Sequence, residues 1–362
     1  MTSPLVSIVL PNLNNRRFLV DRLETILAQS YSHWELIIVD SYSDDGAWEL
    51  IADYAAKDSR FRISQAPREG IYPGLNRCLR LVEGKYVYIA TSDDTMDPDC
   101  IEKMVAALEA HPDCGICHVC LRVIDENGDT IDRKWRRFPV SKFFGELMDV
   151  PHIRSAPYDG ILHGGVYTVY TSLTQLLIRR SVFDEVGLFR SDWGSEGDFE
   201  WGMRAALVHG TFHLPEELAT WRMYQEQATA RLTLESSSRH EGLCKMVQAA
   251  VMTLPKRDRA LYNKIRLRRL LFPYRRLQVE YGVWEKPGKI RKLLYLLRML
   301  FVSPYSVFDF LVSTLFHSNS VGDDFRFIHK ELERLGLQHH IILCPADKAG
   351  GAALKNKNAD DA

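Results

Sequence analysis

The strongest constraint on the fold is an alternation, over the first hundred residues, of β-branched runs with amphipathic helical stretches. Val6 to Leu10 closes in Pro11 and gives way to a helical pattern through Phe18, Leu19, Leu23, Ile26 and Leu27. Trp34 to Val39 forms a second run that ends at Asp40. Ala47 to Ala56 then reads as a helix, Phe61 to Ser64 as a brief strand and Leu75 to Val82 as a helix. Tyr86 to Ala90 is a strand that runs into Ser92, Asp93 and Asp94. Parallel neighbours need a crossover and a helix supplies it, so this order predicts an α/β fold: a mostly parallel open sheet with helices on both faces. In such sheets ligands bind beyond the carboxyl ends of the strands. Pro11, Asp40 and Asp93 all fall there.

Two adjacent acids after an apolar strand repel each other unless a cation or a proton resolves them. Asp93 and Asp94 therefore read as hard oxygen ligands for Mg²⁺ or Mn²⁺, ions that keep several waters and share their shell with substrate phosphates. The other reading is a helix start, with Asp97 capping a helix that begins at Pro98 and turns Ile101, Met104, Val105 and Leu108 inward.

Further along, Val119 to Ile131 reads as a hairpin about Asn127-Gly128, a type I′ pair. Residues 132–170 carry Trp135, Pro139, Pro151, Pro157, His163, Gly164 and Gly165, which suits a long ordered loop over the crevice. Leu173 to Ile178 reads as a strand, Ser181 to Val186 as a helix ended by Gly187, and Phe199 to Val208 as a helix preceded by Glu196 and Asp198. From 236 to 345 the pattern is nearly all helix, and 346–362 has the composition of a disordered tail. The expected division is 1–235, 236–345 and 346–362.

With 362 residues, 46% apolar and 26% charged, the chain can bury a substantial core. Seven scattered cysteines argue against a disulfide framework and for a reducing compartment. Cys114-Gly-Ile-Cys117-His118 has the spacing of c-type haem attachment, but Ile116, Val119 and Leu121 around it favour buried strand thiols. No leader is apparent ahead of Leu5, and a cytoplasmic location is expected.

Residues 256–298 hold 14 Lys or Arg against three acids, so +11 of a chain whose total is -1 lies in one segment. Across 256–317 these cations interleave with Leu, Tyr, Phe and Trp. That pattern fits peripheral contact with an anionic membrane surface, or a basic face on a bundle packed against the rest. Arg298, Pro304 and Asp309 interrupt every window long enough to span a bilayer. No recognition motif accompanies the charge, and nucleic acid is not expected as a partner.

Taken in order, Val6-Ser-Ile-Val-Leu-Pro-Asn-Leu-Asn-Asn15, Trp34-Glu-Leu-Ile-Ile-Val-Asp40, Gly70-Ile-Tyr-Pro-Gly-Leu-Asn76, Gly84 to Asp94, Thr174 to Gly187 and Asp198-Phe-Glu-Trp-Gly-Met-Arg204 resemble the motifs of family 2 glycosyltransferases of the A-type nucleotide-sugar fold. The resemblance covers roughly residues 5–230. It implies an inverting, metal-dependent enzyme that moves a sugar from a nucleoside-diphosphate donor, with UDP-sugar the expectation, to a glycan or lipid-linked glycan acceptor. It implies Asp93 as ligand of Mn²⁺ or Mg²⁺ and Asp198 as general base, with Glu196 as rival. Pro11, Asn12, Asn14, Asp40, Arg68, Gly70, Asn76, Ser92 and Asp94 would surround the nucleotide sugar, Asp40 at the base edge. His163, Trp193, Trp221 and Arg222 would lie on the acceptor side. Four positions depart from the family pattern: Thr91 replaces an acid, Gly197 a Glu, Leu75 an Arg, and Tyr224 a His that often joins the metal shell. Arg68 or Arg77 would then offset the diphosphate charge. A nucleotidyltransferase that makes nucleotide sugars would need a Gly-rich basic loop after its first strand, which Pro-Asn-Leu-Asn-Asn lacks. A non-catalytic sugar-nucleotide-binding module would not need Asp198.

Overall fold

The computed structural model describes residues 3–131, 135–166, 168–225, 227, 236–316 and 321–345. Its strands are β1 (Val6–Asn12), β2 (Trp34–Asp40), β3 (Phe61–Gln65), β4 (Tyr86–Ile89), β5 (Cys114–Ile124), β6 (His152–Arg154), β7 (Leu176–Arg179), β8 (Gly210–Arg222) and β9 (Ile341–Leu343). They join one sheet in the order β3-β2-β1-β4-β7-β5-β8-β6-β9. β1 pairs in parallel with β2 and β4, β2 with β3, and β5 with β8, while β7 and β6 run against their neighbours. All other strands share one direction, so the expected mostly parallel sheet is observed with two reversed strands. β2 is buried at all seven positions, and such two-sided burial is why its sequence reads as a continuous apolar run.

The connecting helices are α1 (Arg16–Leu27), α2 (Ala47–Ala55), α3 (Ile71–Leu79), α4 (Cys100–Ala110), α5 (Pro139–Phe144), α6 (Tyr158–Val166), α7 (Arg180–Val186) and α8 (Gly197–Ala206). α4 buries Ile101, Met104, Val105 and Leu108 as the periodicity requires. It starts two residues later than expected, however, and the Asp97 carboxylate accepts from Arg122 at 2.7 Å instead of capping the helix. The turn at Asn127-Gly128 also differs from expectation. Gly128 has φ +93 but Asn127 has no positive φ, so the pair is not type I′, and only one bridge, Ile124 to Thr130, joins its arms. Cys114 and Cys117 lie buried in β5.

The largest correction concerns 132–170. Its described part is not a loop but holds α5, β6 and α6, with β6 extending the sheet beyond β8. Glycines that read as loop punctuation are there to admit neighbours. A Cβ on Gly160, Gly164 or Gly165 would collide with Leu207, Leu270 or Ile328 respectively. α6 therefore packs closely on elements far away in sequence.

The C-terminal helices are α9 (Ser237–Val251), α10 (Arg259–Lys264), α11 (Leu267–Leu270), α12 (Phe272–Trp284), α13 (Lys289–Val302), α14 (Pro304–Phe316) and α15 (Val321–Arg334). Leu243, Val247, Val251, Leu270, Tyr274, Ile328 and Leu332 belong to the same apolar core as the sheet. β9 then returns to pair with β6. The boundary expected at 235/236 thus marks a change of sequence pattern, while the core runs across it. α13 and α14 instead pack on α12 through a separate small cluster of Val279, Met299 and Val307.

Where β6 meets α6, the Arg154 guanidinium donates to both oxygens of Asp159 at 2.8 and 2.9 Å, and both side chains are almost fully buried. Burial and this cation depress the neighbouring His152 to about 3, so the ring stays neutral. Removing one member of a buried ion pair strands the other charge. Asp159→Ala should therefore lower stability by about 3–5 kcal/mol in urea unfolding. A loss below about 1 kcal/mol would show that the pair is solvated.

Candidate functional site

Three loops meet at the carboxyl ends of β1, β2 and β4. After β1, Asn14 adopts a left-handed φ of 50, and its side-chain amide exchanges hydrogen bonds with Asp44, Nδ2 to Oδ1 at 2.8 Å and Asp44 N to Oδ1 at 2.9 Å. Asn12 donates to Asp40 at 2.8 Å, and Asp40 also accepts from Ser43 N at 2.9 Å, Ser43 Oγ at 2.6 Å and Gln65 at 3.3 Å. Asp40 is fully buried. Placed at the base edge by the resemblance, the Asp40 carboxylate here shapes the turn that follows β2. Arg68 extends this turn, donating to Tyr42 O and pairing with Asp44 at 2.8 Å, while Arg77 pairs with Glu69 at 2.6 Å.

α3 forms the shared wall. Gly70 opens it at φ +113, a backbone setting that favours glycine. At Gly74 the helix comes so near β1 and β2 that an added Cβ would touch Pro11 at 3.7 Å and Ser41 Oγ at 3.8 Å. Asn76, expected at the nucleotide, is committed elsewhere: its amide donates to Phe189 O at 2.7 Å and accepts from Phe189 N at 3.1 Å. It fastens α3 to the segment before α8. Tyr72 reaches the same region, where its hydroxyl accepts from Asp198 N at 2.9 Å and faces Ser195 O at 3.1 Å.

The acid pair sits behind β4. Thr91 Oγ donates to Asp94 Oδ2, Arg222 N donates to Asp94 Oδ1 at 2.7 Å, and Asn15 holds Ser92 Oγ at 2.6 Å. Burial, then the Asp93 charge, pushes Asp94 up to about 7. Asp93 is half-buried, burial raises its carboxyl, and its Oδ2 accepts from the Tyr224 hydroxyl at 2.9 Å. Arg22, fully buried, supplies a nearby cation that lowers both acids in part. Arg222 is not an acceptor-facing side chain. Its guanidinium is buried and donates to Asp93 O at 2.7 Å and Glu126 O at 3.0 Å, which clamps the acid loop. Among the described residues no three His, Cys, Asp or Glu side chains converge.

Asp198 and Glu196 flank the start of α8. Burial pushes Asp198 up to about 6, and the Tyr72 hydroxyl and Phe199 N–H partly oppose that rise. Burial would carry Glu196 to about 7, but Arg239 of α9 lies at 2.7 Å and 2.8 Å from its Oε1 and stabilises the carboxylate. The first acid is thus available and the second is tied down. Trp193 lies just before α8 with the Arg190 guanidinium 5.2 Å from its ring, and Trp221 packs its ring 5.3 Å from Phe138. His163 does not reach the cleft. It is fully buried in α6, bonded to Asp159 O at 2.7 Å and packed against Tyr170 and Phe199. Tyr72, Arg239 and Arg22 carry no pattern in the sequence that marks them, since each matters only through a contact made by folding.

Residues 7–187 match the model of glycosyl transferase family 2. The chain belongs to that family. Among curated relatives, the putative glycosyltransferase EpsE of Bacillus subtilis is 36% identical over 129 residues, covering 35% of this chain and 46% of the relative. The putative teichuronic acid biosynthesis glycosyltransferase TuaG of Bacillus subtilis is 30% identical over 131 residues, 36% of this chain and 52% of the relative. The chain thus spans about half the length of each. Among solved structures, residues 1–349 of S. aureus TarS in complex with UDP-GlcNAc superpose with a TM-score of 0.55 at 12% identity, covering 87% of this chain and 93% of that one. This likeness supports the A-type fold.

A folded Asp198 with a raised value binds its proton more tightly than the unfolded chain does. That contribution to stability is complete below the ordinary value of 3.8 and is lost as pH rises through about 6. NMR of the carboxyl carbon should show Asp198 titrating near 6, and Tyr72→Phe should move the midpoint upward because the hydroxyl that partly lowers it is gone. An unchanged or lowered midpoint in Tyr72→Phe would remove Tyr72 from this role.

Proposed function

We propose that the chain transfers a sugar from a nucleoside-diphosphate donor to a glycan acceptor by a single displacement that inverts the anomeric centre. The observation that carries this reading is the placement of Asp198. The half-buried Asp198 carboxylate, raised to about 6, stands beside Tyr72 of α3, and two residues along the same helix Gly74 lies beside Pro11 and Ser41 at the ends of β1 and β2. A base and a donor cleft are thereby joined by one helix. The UDP-GlcNAc bound by the TarS fragment supports a UDP-sugar as donor, and we take the acceptor to be a lipid-linked glycan of surface polysaccharide synthesis.

In this scheme Asp93 holds Mn²⁺ or Mg²⁺, and the ion when bound offsets the negative charge of the departing nucleoside diphosphate. Tyr224 orients the Asp93 carboxylate, and Arg222 keeps its loop in place. Asn12, Asn14, Ser92 and Gly70 border the donor with Pro11, while Arg68 at the rim brings a cation toward the diphosphate. A sugar hydroxyl is a poor nucleophile, so Asp198 accepts its proton as the new glycosidic bond forms. A carboxylate with a value near 6 is ionised at neutral pH and still basic enough for that transfer. Glu196, bound by Arg239, fixes the approach of α9 to the mouth of the site. Trp193 offers a ring edge for the acceptor sugar.

Asp198→Asn should lower kcat by about a thousandfold while UDP-sugar binding, followed by calorimetry, stays within about twofold of the parent. Transfer by this variant near the parental rate would sink the assignment. Chelation with EDTA should stop transfer, and added Mn²⁺ or Mg²⁺ should restore it. Full activity in EDTA would remove the metal from the scheme.

A further inference from the structure

Beside the buried Val307, α14 turns polar residues inward and four large apolar side chains outward. Ser306, Asp309 and Ser313 are buried, whereas Tyr305, Phe308, Leu311 and Leu315 are 55%, 54%, 48% and 74% exposed. A helix on a water-soluble core shows the opposite pattern, with its apolar stripe inward. The inward polar residues are matched to α12: Arg275 donates to Asp309 at 2.6 Å, and Ser306 donates to Gln278 Oε1 at 3.1 Å. The orientation is therefore fixed by polar bonds, and turning the apolar face inward would break them. α13 continues the face with Ile290, Leu293, Leu294 and Leu297, and its last turn presents Phe301 at 90% and Val302 at 67% exposure.

Charge selects among possible occupants. From Lys286 to Phe316 the chain carries Lys286, Lys289, Arg291, Lys292 and Arg298, and its one acid, Asp309, is buried and paired. Arg268 adds a guanidinium 4.4 Å from the Tyr305 ring. A second copy docked about a two-fold axis would bring these cations against one another. Residues 346–362 hold a single large apolar residue, Leu354, too few to cover the face themselves. An anionic phospholipid surface satisfies both the apolar face and the cations around it. No helix among the described residues is long and apolar enough to cross a membrane. At 14 and 13 residues, α13 and α14 are each about 20 Å long, against the roughly 30 Å of a hydrocarbon core.

We propose that the α13–α14 hairpin is a monotopic docking surface for an anionic lipid bilayer, lying in the interface with Phe301, Phe308 and Leu311 inserted and its Lys and Arg side chains at phosphate depth. α11 and α12 take no part in this role, because they are packed into the protein through Leu270, Tyr274 and Val279. The proposal goes beyond the reading of the catalytic cleft and does not depend on it.

Flotation of the full chain tests it. Vesicles of phosphatidylglycerol and phosphatidylcholine in equal parts should carry the protein upward, and phosphatidylcholine vesicles alone should carry much less. The triple variant Phe301→Ser, Phe308→Ser, Leu311→Ser should lose at least about tenfold in partitioning while its thermal midpoint stays at or above that of the parent, since all three side chains are exposed. Failure of the parent to float on anionic vesicles, equal flotation on both vesicle types, or undiminished flotation of the variant would each overturn the proposal. Sedimentation showing a dimer that the same substitutions dissociate, without vesicle binding, would assign the face to a second copy instead.

Discussion

The site depends on one buried cation. Arg222, at the end of the long strand β8, donates to the backbone oxygens of Asp93 and Glu126, while its own N–H is accepted by Asp94. The Asp93-Asp94 loop is therefore a clamped structure whose form is set from the far half of the sheet. A buried guanidinium is tolerated because carbonyl oxygens and the Asp21 carboxylate at 3.3 Å receive its hydrogens. Two residues further on, Tyr224 reaches back to Asp93. The same stretch of chain thus holds the loop from below and orients the Asp93 carboxylate.

The opposite wall obeys similar logic with different parts. α3 lies beside Pro11 and Ser41 at Gly74 and is tied to the segment between α7 and α8 by the two bonds of Asn76. It delivers the Tyr72 hydroxyl to the first turn of α8, where Asp198 and Glu196 face different fates. Arg239 secures Glu196 through an ion pair, and burial keeps the Asp198 value raised. Environment, more than sequence position, separates the two acids.

Much of the sheet was legible in the sequence because two-sided burial writes itself as unbroken apolar runs, as in Trp34 to Val39, and because each run stops at a polar strand end. Asp93, Asp94 and Asp198 stand out as candidates in the sequence for a related reason, since acids beside apolar elements are conspicuous. What was not legible depended on distant contacts. Gly160, Gly164 and Gly165 read as loop residues, yet they allow Leu207, Leu270 and Ile328 to approach α6. Asp40, Asn76, His163 and Arg222 are the residue types a site would use, but folding commits them to internal partners. The basic segment read as one amphipathic stretch. Only packing showed that α12 is interior and that α14 turns its polar residues inward.

At the centre of the proposed scheme stands a division of labour in which Asp93 holds the cation with the diphosphate and Asp198 plays no part in that binding. Electron paramagnetic resonance of Mn²⁺ titrated into the protein with UDP tests this most directly. The expected result is a bound Mn²⁺ signal that needs UDP, is lost in Asp93→Asn and is unchanged in Asp198→Asn. Retention of the signal in Asp93→Asn, or its loss in Asp198→Asn, would contradict it.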